Sequence, residues 1–223
     1  MRTPHRAWKA LLALLILSAA VAAYPQRIAE LNRRARQGDV DAMYHLGLAY
    51  ESGEGVQQDY AKAATWLRKA ADKGNSNAMM DLGVSSGRGD GVQQSYSDEM
   101  RWYRLAAAAG NERGMYYLGH MYMHGAGVPI NYSKALAWYL KSAEKGNSGA
   151  MDMVGLIYLH GDGVPQSFTE AYFWLNLSAV DPSTGSRDDR DSAAAKPPRS
   201  TVIKIQERCR KWAESHPQIH FSP

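Results

Sequence analysis

AMYHLGLAYESGEGVQQDYAKAATWLRKAADKG, residues 42–74, is the stretch that decides the architecture. Ala42, Met43, Leu46, Gly47 and Tyr50 recur at helical spacing, which puts them on one face of a helix. Gly53 and Gly55 end that helix, because paired glycines supply backbone angles that other residues avoid. Ala63, Trp66, Leu67, Ala70 and Ala71 then mark a second inward face. Gly74 closes it at the position after a helix where glycine is favoured. The stretch reads as two helices joined by a tight turn.

The same pattern returns every 36 residues. Trp66 is followed by Trp102, Trp138 and Trp174, and Leu46-Gly47 by Leu82-Gly83, Leu118-Gly119 and Val154-Gly155. The Gly-x-Gly-Val turn restarts at Gly89, Gly125 and Gly161. A period of this length marks stacked supersecondary units rather than one globular core. Asp39, Asn75, Asn111 and Asn147 precede the first helices, and Asp59, Ser95, Asn131 and Ser167 the second ones. All carry side chains that cap helix N-termini, and Ser167 with Glu170 has the spacing of a capping box.

These readings give an all-α chain with four helical hairpins over 39–182. A capping helix in 24–38 precedes them, capping helices in 183–215 follow, and 216–223 is a flexible tail. Pro182 stands where the fourth closing glycine would fall, so the array ends there. Terminal segments depart from the pattern because one of their faces meets water.

Residues 1–23 read as a leader. Arg2, Arg6 and Lys9 precede an apolar run over 10–23 that only Ser18 interrupts. Val21 and Ala23, or Ala20 and Ala22, suit a cleavage site. The run is shorter than the roughly 20 apolar residues of a bilayer span. A secretory signal peptide is expected, with an uncleaved anchor as the alternative. The folded part then lies outside the cytoplasm, periplasmic or secreted, or anchored to an inner membrane and facing the periplasm. Membrane contact is expected only if the leader stays uncleaved. It holds three of the 26 basic residues and none of the 22 acidic ones, so the net charge of +4 nearly vanishes without it. No basic stripe remains, and nucleic acid is not an expected partner. Cys209 is the only cysteine, so stability must come from packing between repeats rather than from disulfides.

With these residues in view, the chain resembles the Sel1-like repeat family, relatives of the tetratricopeptide repeats. The resemblance rests on Ala42, Leu46-Gly47, Tyr50, Gly53, Gly55-Val56, Asp59, Ala63, Trp66, Ala70-Ala71 and Gly74, repeated along the chain. Residues 171–177 followed by Arg187-Asp188 also look like the usual end of bacterial members. The resemblance implies a right-handed α-solenoid that binds proteins or peptides and carries no catalysis. Three residues depart from the pattern: Ser86 for Tyr, Glu99 for Ala and Gly114 for Ala. They put the local packing of the second repeat in doubt.

Placing the first-helix stripe inward turns another row outward, which in related helical-repeat folds lines the concave surface. That row supplies the candidate partner-binding residues: Tyr44, Leu48, Met80, Val84, Tyr116, His120, Met123, Asp152, Leu156 and Leu159. So apolar a row is unusual for a solvated face, and such patches mark interaction sites. Eight of the ten methionines fall on first helices, where flexible thioethers suit a surface accepting varied side chains. Met43, Met79, Met115 and Met151 share an inward position and are expected in the core.

Catalytic and metal signatures are sparse. His120 and His124 are four apart, a spacing that can hold a metal, but no Glu stands in the metalloprotease position and no third ligand is evident. The Gly-x-Gly-Val elements recur at hairpin turns and need no phosphate to explain them. Cys209 lies on an apolar stripe with Val202, Ile205 and Trp212 and is expected to be buried. No metal or cofactor is expected. The reading that follows is a non-catalytic scaffold of the bacterial cell envelope holding a protein or peptide segment. The alternative is a peptidoglycan-associated enzyme or a regulator of a cell-wall hydrolase. Glycan hydrolysis needs a positioned pair of carboxylates, whereas Glu51 and Asp152 fall on distant repeats. Export to a host cell is a third reading that no residue favours or opposes.

Overall fold

The computed structural model describes residues 26–179 and 187–217. The expected leader, Pro182 and the tail from residue 218 lie outside them. The described residues form helices and turns, with no strand among them. In order these are α1 (26–36), α2 (Val40–Ser52), α3 (Tyr60–Asp72), α4 (Ser76–Arg88), α5 (Tyr96–Ala108), α6 (Glu112–His124), α7 (Tyr132–Ala143), α8 (Ser148–His160), α9 (Phe168–Ser178), α10 (Arg187–Ala194) and α11 (Arg199–Ser215). They fall into two compact units, one ending at Ser95 and the other beginning at Tyr96.

Each first helix starts where its cap residue directs. The side chains of Asp39, Asn75, Asn111 and Asn147 accept hydrogen bonds from the amides of Ala42, Ala78, Gly114 and Ala150 at 2.8–3.0 Å. Asp59, Asn131 and Ser167 do the same for Lys62, Lys134 and Glu170 at the second helices. Every cap satisfies one of the amides that a helix start leaves without an intrahelical partner, worth about 1 kcal/mol each.

The two glycines of each turn have different reasons. The first, such as Gly125 at φ 73°, ends the helix in the left-handed region. The second also has positive φ, and in the second, third and fourth turns it lies against the preceding repeat. A Cβ on Gly91 would stand 2.2 Å from the Tyr60 carbonyl in unit one, and a Cβ on Gly127 would stand 2.5 Å from the Tyr96 Cβ in unit two. Glycine here seats each of these turns on the start of the previous second helix. The Leu-Gly signature has a parallel cause. A Cβ on Gly47, Gly119 or Gly155 would come within 2.6–2.7 Å of Leu67, Tyr139 or Leu175. The first helix can therefore lie close to the second only without a side chain at that point.

In unit one the interior is built from Ala42, Leu46, Leu67 and Ala70, and in unit two from Leu118, Tyr139, Met151, Ile157, Phe173 and Leu175. Burying each large apolar side chain contributes about 1.5–3 kcal/mol. Two of the three departures from the repeat pattern, Ser86 and Gly114, fit their surroundings. Ser86 is buried and its hydroxyl donates to the Leu82 carbonyl at 2.8 Å. A Cβ at Gly114 would meet the Ala106 Cβ at 2.8 Å, so glycine is the residue that fits. The tryptophans divide. Trp102 and Trp174 are buried, but Trp66 and Trp138 are only partly so. Lys69 and Lys141 lie 4.2 and 4.4 Å over those two rings, covering the exposed π-faces.

The C-terminal helices pack on α9. Arg208 of α11 makes two hydrogen bonds to Glu170, at 2.6 and 3.1 Å, and lies 3.8 Å over the Phe173 ring. The Glu170 carboxylate is thus turned toward α11, where the capping-box spacing had directed it back to its own helix start. Cys209 is buried, its thiol 3.6 Å from the Phe173 carbonyl, and burial pushes its pKa up.

Candidate interaction surface

An α-helix turns 100° per residue, and that rotation relocates the expected outward row. On α2 the exposed residues are Asp41, His45 and Ser52, while Tyr44, Leu48 and Glu51 are partly buried. The row at positions 44, 48 and 51 and their equivalents therefore lies on the flank between the buried stripe and the open side.

In unit one, Tyr44 packs against His45 with ring centroids 5.6 Å apart. Leu48 lines a cavity of about 170 Å³ with Ile28 and Leu31 of α1, and the ion-paired Arg27 and Glu54 also line it. Val84 is partly buried. Met80 is corrected: it is 0% exposed and belongs to the core, while its neighbour Met79, expected inward, is only partly buried. The flank position tips into the interior on α4. Glu51 has a carboxyl raised above its usual range by burial, then by Asp81 and Asp90.

In unit two, the Tyr116 ring lies between Tyr117 at 5.4 Å and Tyr139 at 5.5 Å. Burial raises the Tyr116 phenol and raises that of Tyr139 strongly. His120 is exposed, with its ring centroid 4.2 Å from that of His124. Although the side chain meets solvent, partial desolvation of its ring, and then His124, hold its imidazole below the usual pKa. Met123 and Leu156 are partly buried and pack on the core. Asp152 is partly buried, and its Oδ1 has no hydrogen-bond partner. Burial and then Asp189 raise its pKa, against a hydrogen bond with Ser178. Leu159 is also corrected: at 7% exposure it is a core residue of the fourth repeat.

The proximity of Asp152 to Asp189 was not visible in the sequence, because α10 stands outside the repeat register. The grouping of Glu51 with Asp81 and Asp90 was hidden for a related reason, since it joins non-equivalent positions. Among the described residues, no three His, Cys, Asp or Glu side chains are placed to hold a metal ion. No described helix is long and apolar enough to cross a membrane.

Residues 40–75, 76–111, 113–147 and 148–179 each match the Sel1 repeat model. The chain belongs to the Sel1 repeat family. Sel1 repeat proteins generally mediate protein–protein interaction, and the fold is typically a non-enzymatic scaffold. A Sel1 repeat protein from Oxalobacter formigenes is similar over 84% of this chain and 79% of its own, with 25% identity and a TM-score of 0.70. The protective antigen c5321 of uropathogenic Escherichia coli strains is 32% identical over 86% of this chain, with a TM-score of 0.65. The chain spans 45% of that antigen's length. The immunity protein Pa5087 from Pseudomonas aeruginosa shares the fold at 19% identity, over 86% of this chain and 74% of its own, with a TM-score of 0.50. No curated protein matches the sequence. The family fixes the all-α solenoid class, with four helical hairpins and capping helices.

Proposed function

We propose that this chain is a non-catalytic adaptor of the bacterial cell envelope that holds a protein or peptide segment along the flanks of its first helices. The observation that carries this reading is the mixed character of those flanks. Tyr44, Leu48 and Val84 in one unit, and Tyr116, Met123 and Leu156 in the other, are large apolar residues that stay partly accessible to solvent. Exposed His120 and partly buried Asp152 add polar points on the second flank. Apolar area with a few polar groups is the usual makeup of a protein-binding surface. The envelope location rests on the basic n-region and apolar run of residues 1–23, which resemble a secretory leader. Inside that location, the mature chain is periplasmic, secreted or held by an uncleaved leader.

The test is affinity capture from envelope extracts with the chain lacking its leader, beside the variant Val84→Glu with His120→Glu. His120 is exposed and Val84 only partly buried, so melting by circular dichroism on the double variant and on each single variant establishes that they fold before capture is compared. A protein retained by the parent and lost by the variant supports the flank as the binding surface. Equal capture by both removes the flank from the reading.

A further inference from the structure

α5 and α9 are equivalent second helices in unit two, and their outer faces share a register. On α9 the positions are Glu170, Phe173 and Leu177; 72 residues earlier, on α5, they are Asp98, Arg101 and Leu105. The α9 set is covered. Arg208 of α11 grips Glu170 and overlies Phe173, and Leu177 is 4% exposed in the same cluster as Ile205 and Cys209. On α5, Leu105 is 42% exposed. The two other second helices put Lys69 and Lys141 at this position, each folded over its tryptophan. An aliphatic side chain therefore stands open on α5 where uncovered repeats carry lysine and the covered repeat carries leucine.

Leu105 does not stand alone. With Tyr96, Met100, Arg101, Arg104 and Gly127 it lines a cavity of about 470 Å³. Tyr96 is itself 50% exposed. The only charged groups in that lining are the two guanidinium groups. Their present contacts are weak: Arg101 reaches exposed Asp98 at 3.2 Å, and Arg104 reaches the Tyr122 hydroxyl at 3.4 Å. Exposed contacts of this kind are screened by solvent and exchange readily. Arg101 is also laid over the Trp102 ring at 4.7 Å, which orients its planar fork. Guanidinium forks match carboxylates with paired hydrogen bonds.

We propose that the outer face of α5 is a docking groove for an acidic amphipathic helix of a partner protein, which sets an aliphatic side chain on Leu105 and carboxylates on Arg101 and Arg104. The helical form follows from α9, whose matching face is covered by helix α11. The acidic character follows from the two guanidinium groups. This surface lies on a second helix, apart from the first-helix flanks, and stands or falls independently of them.

The test uses a fluorescein-labelled helical peptide of Glu, Ala and Leu, its Gln-for-Glu counterpart, and fluorescence polarisation on the leaderless chain. The acidic peptide should bind, and the Gln peptide should bind about tenfold more weakly or worse. Arg101→Gln with Arg104→Gln should cost a similar factor, and Leu105→Lys, which restores the residue of the uncovered repeats, should also weaken binding. Added salt should weaken the acidic peptide more than the neutral one. Val84→Glu with His120→Glu should leave binding unchanged, which separates this groove from the first-helix reading. All substituted side chains on α5 are exposed, and unchanged melting by circular dichroism confirms that the variants fold. Equal binding of both peptides, full binding by the arginine variant, or no saturable binding by the parent chain would each overturn the proposal.

Discussion

α9 and α5 present the same register to opposite surroundings. On α9, Phe173 and Leu177 are sealed into the core by the C-terminal helices, and Glu170 is tied to Arg208. On α5, Leu105 and Tyr96 meet solvent beside two arginines. The repeat period explains why each position points outward, but not whether it is covered. Coverage is set by what arrives from beyond the repeat. The largest expected effect measures that directly. Leu177→Ala should cost about 2–5 kcal/mol, the range for deleting a buried leucine side chain. Its equivalent, Leu105→Ala, should change stability by no more than about 0.5 kcal/mol. Urea unfolding of the two variants side by side gives both numbers. Equal losses would mean that the α5 face is already core.

A middle-sized effect would break any simple equation between exposure and tolerance. Gly127 lines the open α5 groove and is exposed, yet it has φ 69° and its missing Cβ would fall 2.5 Å from the Tyr96 Cβ. Gly127→Ala should therefore destabilise by about 2 kcal/mol or more, combining left-handed backbone strain with a clash. Gly110 provides the control, with φ 85° and only the Lys145 Nζ at 4.0 Å. Gly110→Ala should show the backbone part alone, about 1–2 kcal/mol. The difference between the two melts isolates the seating of the turn on Tyr96. No difference would mean that the turn moves aside freely.

The fold was legible because its determinants are local and repeated. Cap residues, paired glycines and the Leu-Gly step each recur in register, and the hydrogen bonds of Asn75, Asn111 and Asn147 follow that reading directly. The surface was less legible. A helical wheel turns Met80 and Leu159 outward, but their rows lie on the flank, and at those two positions the side chain belongs to the core. The Trp66 and Trp102 positions are identical in the repeat, yet one ring is covered by a lysine and the other is buried. Contacts from outside the period, such as Arg208 on Glu170 or Asp189 near Asp152, had no periodic signal to reveal them. Repetition encodes the unit; its neighbours decide which residues remain available.

The smallest effect tests how firmly α11 holds its cover on α9. Arg208 and Glu170 are partly exposed, with side chains 50% and 33% accessible, so solvent screens their attraction. Arg208→Gln should cost no more than about 1 kcal/mol of global stability. Its local consequence is easier to read through Cys209, the next residue. The thiol is buried, and burial raises its pKa, so both access and thiolate content oppose labelling in the closed state. Disulfide-exchange labelling should then proceed through local opening of α11. Weakening that closure by 1 kcal/mol should speed labelling about fivefold, at the same pH and reagent concentration. If Arg208→Gln leaves the labelling rate unchanged while Trp212→Ala accelerates it, the cover is held by the apolar contacts, and the ion pair only sets the angle at which α11 lies. In that case the bare groove on α5 should depend on Leu105 more than on its arginines for any helix it receives.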